Sequence, residues 1–343
     1  MPTLTDIFTP DGFGTYALTA AIQRFPHAPT IINNMGLFRE IPVNSTNIVI
    51  EEQNGMLTLV PTTKRGGPGI PSQDPKRAVR SFRVPHIQLD DAVMADDALN
   101  VRSFGSADAM SGVGEIISRK LETMRRSIDV TDEWLRSQAL NGIIVYPTGS
   151  VDATLNLFTE FGTSLQTVAL LLSTSTTDVA ALAASIRDAI ETAMGSTPYT
   201  GIVCLCSKLL FRSLIAHALV RKFYADFQQM YPLNQVTFVE KNRRVFEWEN
   251  ITWVEMSNAP VSDKYLYGGI ASGEGTAFPI GADIFHSYIA PADIVEAAGT
   301  LGQSVYARQY IQPDGKSVNL EVQRNALSLC TRPRALIHID YNT

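Results

Sequence analysis

One uninterrupted helical pattern constrains this chain more than any other feature. Between Ser111 and Asn141 the apolar residues Val113, Ile117, Leu121, Met124, Ile128, Leu135 and Ala139 recur at steps of three, four or seven, which places them on one stripe of a helix. The remaining faces carry Glu115, Arg119, Glu122, Arg125, Arg126, Asp132, Glu133 and Arg136. Gly142 follows directly, and glycine readily takes the left-handed conformation that closes many helices. A helix of this length runs roughly 45 Å, longer than a small domain is wide. It serves as a spine along which other elements lie, and any bend is expected in the run Ile128 to Thr131, rich in β-branched residues.

Upstream, the stretch from about Ile48 to Asp91 does not read as part of a self-contained globule. It opens as two apolar runs around Asn54-Gly55, a pair suited to the centre of a type I′ hairpin because both residues tolerate positive φ. A segment dense in Pro, Gly and charge follows, with too few apolar residues for a core of its own. A long arm of this kind inside a folded chain is usually functional or covered by something else. Lys64, Arg65, Lys76, Arg77, Arg80 and Arg83 face one acid, Asp74, and the next charges are all acidic: Asp90, Asp91, Asp96 and Asp97. A basic arm beside an acidic patch suits like molecules docking head to tail, so the arm is expected to reach a neighbouring copy. Phe82, Val84, Ile87 and Leu89 suggest a return strand interrupted by Pro85.

Elsewhere the patterns are shorter. Residues 1 to about 46 read as an extended segment with one short helix, Thr15 to Arg24. Ile143 to Tyr146 and Val151 to Phe161 read as a hairpin around Pro147-Thr148-Gly149. Asp178 caps an alanine-rich helix ending at Gly195, and GIVCLC (Gly201–Cys206) is a buried strand leading into a helix from about Ser207 to Gln229. Strands are expected at Val236–Val239, Val245–Val254 and Tyr265–Gly268, in a pair flanking Pro313-Asp314-Gly315, and at Ala335 to Ile339. The sum is an α+β chain with one helix-and-hairpin region and one mixed region.

Bulk properties exclude several roles. Charged residues make up 18% of the 343, against about 25% in a typical domain, which favours extensive protein–protein contact. A net charge of −6 argues against a dedicated nucleic-acid binder, which is normally basic. The most apolar long window, Ile202 to Val220, is broken by Lys208, Arg212 and His217 and does not suit a membrane span. The first residues lack a basic and then apolar leader, and three cysteines without framework spacing fit free thiols in a reducing cytoplasm.

No catalytic, cofactor or metal site is read from the residues. Adjacent strand residues point to opposite faces, so neither Asp90-Asp91 nor Asp96-Asp97 converges by itself. Lys64-Arg65-Gly66-Gly67-Pro68-Gly69 lacks the spacing of a phosphate cradle. Cys204 and Cys206 share one strand face without the second ligand pair a zinc site needs. His27, His86, His217, His286 and His338 are scattered, and His217 is read as structural.

Taken in order, these features resemble the major capsid protein E family of tailed bacteriophages, of the phage lambda major head protein type. Ile48 to Gly67, with Val60-Pro61 and then Lys64-Arg65-Gly66-Gly67, resembles that family's extended loop, and Ser111 to Asn141 its spine helix. Gly201 to Cys206 followed by Leu210-Phe211-Arg212-Ser213 is similar to the strand and helix that open its axial domain. Glu321-Val322-Gln323, Leu327-Ser328-Leu329, Arg332-Pro333 and the closing strand resemble its C-terminal end.

The resemblance implies the Hong-Kong-97 (Johnson) capsid fold. Its parts would be an N-terminal arm over 1–46, an extended loop over 47–91 and a peripheral domain over 92–195 with spine helix 111–141. An axial domain over 196–330 and a C-terminal strand over 331–343 would follow. It further implies a non-enzymatic homo-oligomer of hexamers and pentamers, closed as an icosahedral shell around double-stranded DNA without sequence-specific binding. The chain would be made in the host cytoplasm and reside in the virion capsid, with scaffold, portal and decoration proteins as partners and no membrane. Inter-subunit contact is expected at Lys64, Arg65, Gly66, Gly67, Lys76, Arg77, Arg80 and Arg83 on one side, and Asp90, Asp91, Asp96 and Asp97 on the other. Reversal of Arg77 and Arg80 to Glu is expected to spare folding and block assembly. Two alternatives stand beside this: a cellular nanocompartment shell with the same fold, and a soluble hydrolase or transferase.

Overall fold

A computed structural model describes residues 14–25, 30–53, 77–94, 109–146, 154–222, 244–256, 260–261, 264–265, 270–313 and 315–342. The chain opens with helices α1 (Thr15–Arg24) and α2 (Ile31–Asn34), then strands β1 (Arg39–Pro42), β2 (Asn47–Gln53), β3 (Arg77–Arg83) and β4 (Ile87–Met94). The long helix α3 (Ala109–Asn141) leads to β5 (Ile143–Val145), β6 (Thr154–Asn156), α4 (Leu157–Glu160), β7 (Gln166–Ala169) and α5 (Val179–Met194). Next come β8 (Gly201–Cys206), α6 (Lys208–Ala216), β9 (Val245–Trp248), β10 (Ile251–Glu255) and the two-residue strands β11 (Pro260–Val261) and β12 (Lys264–Tyr265). The chain ends with β13 (Glu274–Ile280), β14 (Phe285–Ile289), β15 (Tyr306–Ile311), β16 (Ser317–Arg324), β17 (Ala326–Cys330) and β18 (Ile337–Asp340).

Two compact units share these elements. One gathers Met1–Ile48, Arg83–Glu133 and Ser287–Ser328; the other gathers Val49–Phe82, Trp134–His286 and Leu329–Thr343. Each therefore draws on three stretches of chain. Residues 287–328 fall with the spine helix, and β7 and α5 fall outside its unit, because strand pairing between distant segments decides membership.

The first unit is built on the stripe of α3. Ile117, Leu121, Met124 and Ile128 pack with Leu18 and Ile22 of α1, Val93 of β4, and Val305, Ala307, Leu320 and Val322 around β15 and β16. The three strands form an antiparallel sheet in the order β15-β16-β4. Thr19 ties α1 to β15: its hydroxyl donates to the Ala307 carbonyl and accepts from the Ala307 N–H, both at 3.1 Å. From Asp132 to Leu140 every residue of α3 is buried, polar faces included. The expected single apolar stripe thus describes only the N-terminal part of the helix.

The second unit centres on a mixed six-stranded sheet in the order β7-β18-β13-β8-β10-β9. Parallel pairs β10–β8 and β18–β7 alternate with antiparallel pairs β13–β8, β13–β18 and β10–β9. Helices α5 and α6 pack on this sheet. Helix α5 matches its sequence signals at both ends: Asp178 accepts from Ala181 N at 3.1 Å, and Gly195 takes φ +57°. At the end of α3, Gly142 adopts φ +76°, and a Cβ there would run into the Phe158 ring, so both backbone and packing favour glycine. A further sheet has the order β1-β14-β17, and β2 pairs with β3.

Three local readings need correction. The strand expected to Phe161 stops at Asn156, whose side chain accepts from Phe158 N at 2.9 Å and Thr159 N at 3.3 Å and so starts a helical turn. The strand expected over Val245–Val254 is the hairpin β9–β10, turned at Glu249 and Asn250 with φ +52° and +57°. Helix α6 ends at Ala216, where His217 goes extended and its Nε2 lies 3.1 Å from the Thr174 carbonyl; residues 218–222 are again helical. The readings at Asn54-Gly55, Pro147-Thr148-Gly149 and Val236–Val239 lie outside the described residues.

Candidate subunit-contact site

Of the charged residues expected to meet a neighbour, Lys64, Arg65, Lys76, Asp96 and Asp97 lie outside the described residues, as do Gly66 and Gly67. Arg77 is the first residue of β3. Arg80, on the same strand, is engaged within its own unit: its guanidinium lies 5.0 Å above the Phe161 ring and donates to the Glu160 carbonyl. Phe82 stacks on Phe161 with centroids 5.9 Å apart. Arg80 and Phe82 together fix β3 to the turn after β6. Arg83, which ends the strand, is exposed.

The two described aspartates separate as strand alternation requires. Asp91 pairs in register with Leu320, on the face of the sheet that meets α3, and Lys120 Nζ binds its Oδ1 at 2.8 Å. Asp90 pairs with Glu321 on the opposite face and is exposed, accepting from Gln88 Nε2 at 2.9 and 3.1 Å. Glu321 is neutralised by Arg308, its partner across β15, at 2.7 Å. That bond, against the opposing effect of burial, raises the arginine's pKa above its ordinary value. Among the described residues the geometry thus brings Arg80 and Asp91 into internal contacts and leaves Arg83 and Asp90 on the surface.

A set of buried charges escaped the sequence reading. Arg324, at the end of β16, donates through Nε and Nη2 to Asp132 of α3 at 3.1 and 3.0 Å. Its Nη1 donates to the Ser304 carbonyl and hydroxyl, each at 2.8 Å, and Nη2 lies 3.3 Å from Glu40. Burial alone would lower this arginine's pKa, but Asp132 and Glu40 outweigh it and the net shift is upward. Arg125 is buried beside Asp129 at 3.1 Å. Glu133, fully buried, accepts from Ile32 N at 2.7 Å and Asn33 N at 3.0 Å. Helical spacing had put Arg125, Asp132 and Glu133 on the polar faces of α3, and no sequence signal shows that those faces are covered.

Burial raises the pKa of Glu133, and the hydrogen bonds from Ile32 and Asn33 only partly oppose it. A carboxyl raised on folding contributes stability that is fully present below its unfolded value of 4.5 and lost as pH rises through the folded value. Glu133→Gln keeps one acceptor and removes the charge. It is expected to flatten the fall in stability as pH rises above 4.5, read by urea unfolding across a pH series. A slope equal to wild type would contradict the assignment.

All three cysteines are free and buried. Sγ of Cys204 and Cys206 lie 3.4 Å apart in the core of β8, and burial pushes the Cys204 thiol well up and that of Cys330 to about 12. Such thiols stay protonated at neutral pH. Among the described residues no group of three or more His, Cys, Asp or Glu is placed to hold a metal ion, and no helix is long and apolar enough to cross a membrane.

A long helix on a three-stranded antiparallel sheet, a mixed sheet with its own helices, and a two-stranded ribbon ending in the β3 clamp make up the Hong-Kong-97 capsid fold, an α+β architecture. The chain belongs to the phage major capsid protein E family, whose profile matches residues 14–340. It is 25% identical over 350 aligned residues to the major capsid protein of Salmonella phage Felix O1, covering 94% of each chain. Against the major capsid protein of Pseudomonas phage KPP10 the identity is 24%, over 93% of this chain and 94% of that one. A solved structure of a candidate capsid protein from an E. coli CFT073 prophage superposes with a TM-score of 0.62. It covers 96% of this chain and 99% of its own at 11% identity, a likeness of fold alone.

Proposed function

We propose that this chain is the shell-forming subunit of a phage head. Copies assemble as hexamers and pentamers into an icosahedral shell around double-stranded DNA, held by shape and charge without sequence reading. The observation that carries this is the family match along nearly the whole chain, residues 14–340. In this reading the unit around α3 is the peripheral domain, and the unit around the six-stranded sheet is the axial domain. Strands β2 and β3 with residues 54–76 are the extended loop, preceded by an N-terminal arm to residue 46. The role is structural and not enzymatic. The chain is made in the host cytoplasm and ends in the virion capsid, where scaffold, portal and decoration proteins would meet the assembled shell.

Physical support comes from how β3 is held. The Arg80–Phe161–Phe82 stack fixes the base of the ribbon on its own subunit. Arg83 and Asp90 are exposed, and in this reading Arg83 and the arm's other basic residues meet a neighbour's Asp90, Asp96 and Asp97. Ordering a loop costs roughly 1–2 kcal/mol per fixed backbone residue, so docking is favourable only as part of a large repeated interface. Assembly should therefore be cooperative.

Arg83→Glu is expected to leave unfolding within about 0.5 kcal/mol of wild type, as for an exposed site, and to reduce shell formation sharply. Arg80→Glu is a poorer probe, because losing its place over Phe161 costs about 0.5–2 kcal/mol in the subunit itself. Urea unfolding and negative-stain microscopy separate the two. For the function as a whole, sedimentation of the expressed protein is expected to show megadalton particles. A small defined oligomer under every assembly condition would contradict it.

A further inference from the structure

The shell reading leaves open which folded surfaces meet between copies, and two exposed apolar patches in the structure carry opposite charge. The first is the outward side of α6. Leu210, Phe211 and Leu214 face the core, yet Leu209 (45% exposed) and Ile215 are open to solvent, as is Leu219 beyond the kink. A helix that is apolar on both sides normally has a partner on both. Its charges have one sign: residues 207–222 contain Lys208, Arg212, Arg221 and Lys222 and no acid. Arg212 stays 61% exposed, with Glu255 no nearer than 4.0 Å.

The second patch is the loop between β14 and β15. Ala292, Ile294, Ala297 and Tyr306 form a small core beneath it. The Tyr306 hydroxyl accepts from Gln303 N at 2.9 Å, Gly302 N donates to the Val43 carbonyl at 2.9 Å, and Thr300 Oγ1 to the Ala297 carbonyl at 2.8 Å. A loop pinned in this way nevertheless presents Val295 at 91% exposure, with Leu301 also exposed. Residues 287–307 carry Asp293 and Glu296, both exposed, and no Lys, Arg or His. An ordered loop that displays large apolar side chains gains nothing for its own fold.

We infer that this loop docks on α6 of the next copy, with Val295 and Leu301 against Leu209 and Ile215, and Asp293 and Glu296 against Lys208 and Arg212. Two different patches make the contact heterologous, so it propagates from copy to copy and closes only through the symmetry of a ring or shell. The inference rests on the shell reading and names one of its contacts. The opposite charges fix register and partner more than raw affinity.

The test is a crosslink between two proteins that each carry one added cysteine. Leu209→Cys and Val295→Cys variants are co-assembled and oxidised; the native cysteines Cys204, Cys206 and Cys330 are all buried. A disulfide-linked dimer is expected from the mixture and from neither variant alone. Intact particles without that dimer would overturn the contact and leave the shell reading standing, whereas a wild type that forms no particles would overturn both. In a second arm, Lys208→Glu with Arg212→Glu is expected to cut particle yield about tenfold or more, the equivalent of about 1.4 kcal/mol. Adding Asp293→Lys and Glu296→Lys should restore it, and failure of that rescue while the charge-reversed subunit stays folded would count against the pairing.

Discussion

Replacing Arg324 by Leu is expected to destabilise the subunit by about 3–5 kcal/mol, the cost of breaking a buried ion pair from one side. The guanidinium meets Asp132 in two contacts, at 3.0 and 3.1 Å, and it also donates to the Ser304 carbonyl. Its loss takes the guanidinium away from a buried carboxylate on α3, while the contact to the more exposed Glu40 adds little. Urea unfolding should show the drop, and Arg324→Leu with Asp132→Leu should recover most of it, because removing both charges removes the desolvation cost as well. A single variant within about 1 kcal/mol of wild type would show the pair to be peripheral.

Trp253→Ala is expected to cost a similar amount, about 3–5 kcal/mol, in the other unit. Trp253 is fully buried in β10, and its indole N–H donates to the Trp248 carbonyl at 3.3 Å. Register aligns Ala277, Cys204, Trp253 and Phe246 across β13, β8, β10 and β9, so one face of the sheet runs small, small, large, large. The cysteine beside Trp253 makes room for the ring, a packing reason for a small thiol on this strand. Truncating Trp253 leaves a void that its neighbours, held by strand pairing, can fill only in part. A loss under about 1.5 kcal/mol on thermal or urea unfolding would mean the sheet closes over the gap, the behaviour of a volume-conserving substitution.

The elements legible in the sequence were those specified by neighbouring residues. Asp178 and Gly195 bracket α5, and the stripe from Ile117 to Ile128 marks α3. What failed depended on distant partners. His217 interrupts α6 where its ring meets Thr174, 43 residues earlier. Glu249 and Asn250 turn β9 into β10 without a glycine to announce it. Pairing of β16 with β4 carries 287–328 into the unit of the spine helix, and periodicity contains no information about which strands pair. The contact site divides in the same way. Strand alternation correctly sends Asp90 and Asp91 to opposite faces, yet only the fold reveals that Lys120 occupies Asp91 and that Phe161 and Glu160 occupy Arg80.

The central claim is that the ribbon of β2 and β3 and the residues between them complete their packing on another copy. An electron cryo-microscopy map of assembled particles, at a resolution that traces the chain, tests it most directly. The account predicts that residues 54–76 and Arg83 lie against an adjacent subunit, with acidic side chains opposite the arm's basic ones. Density placing that segment wholly on its own subunit, with no neighbour in contact, would contradict it.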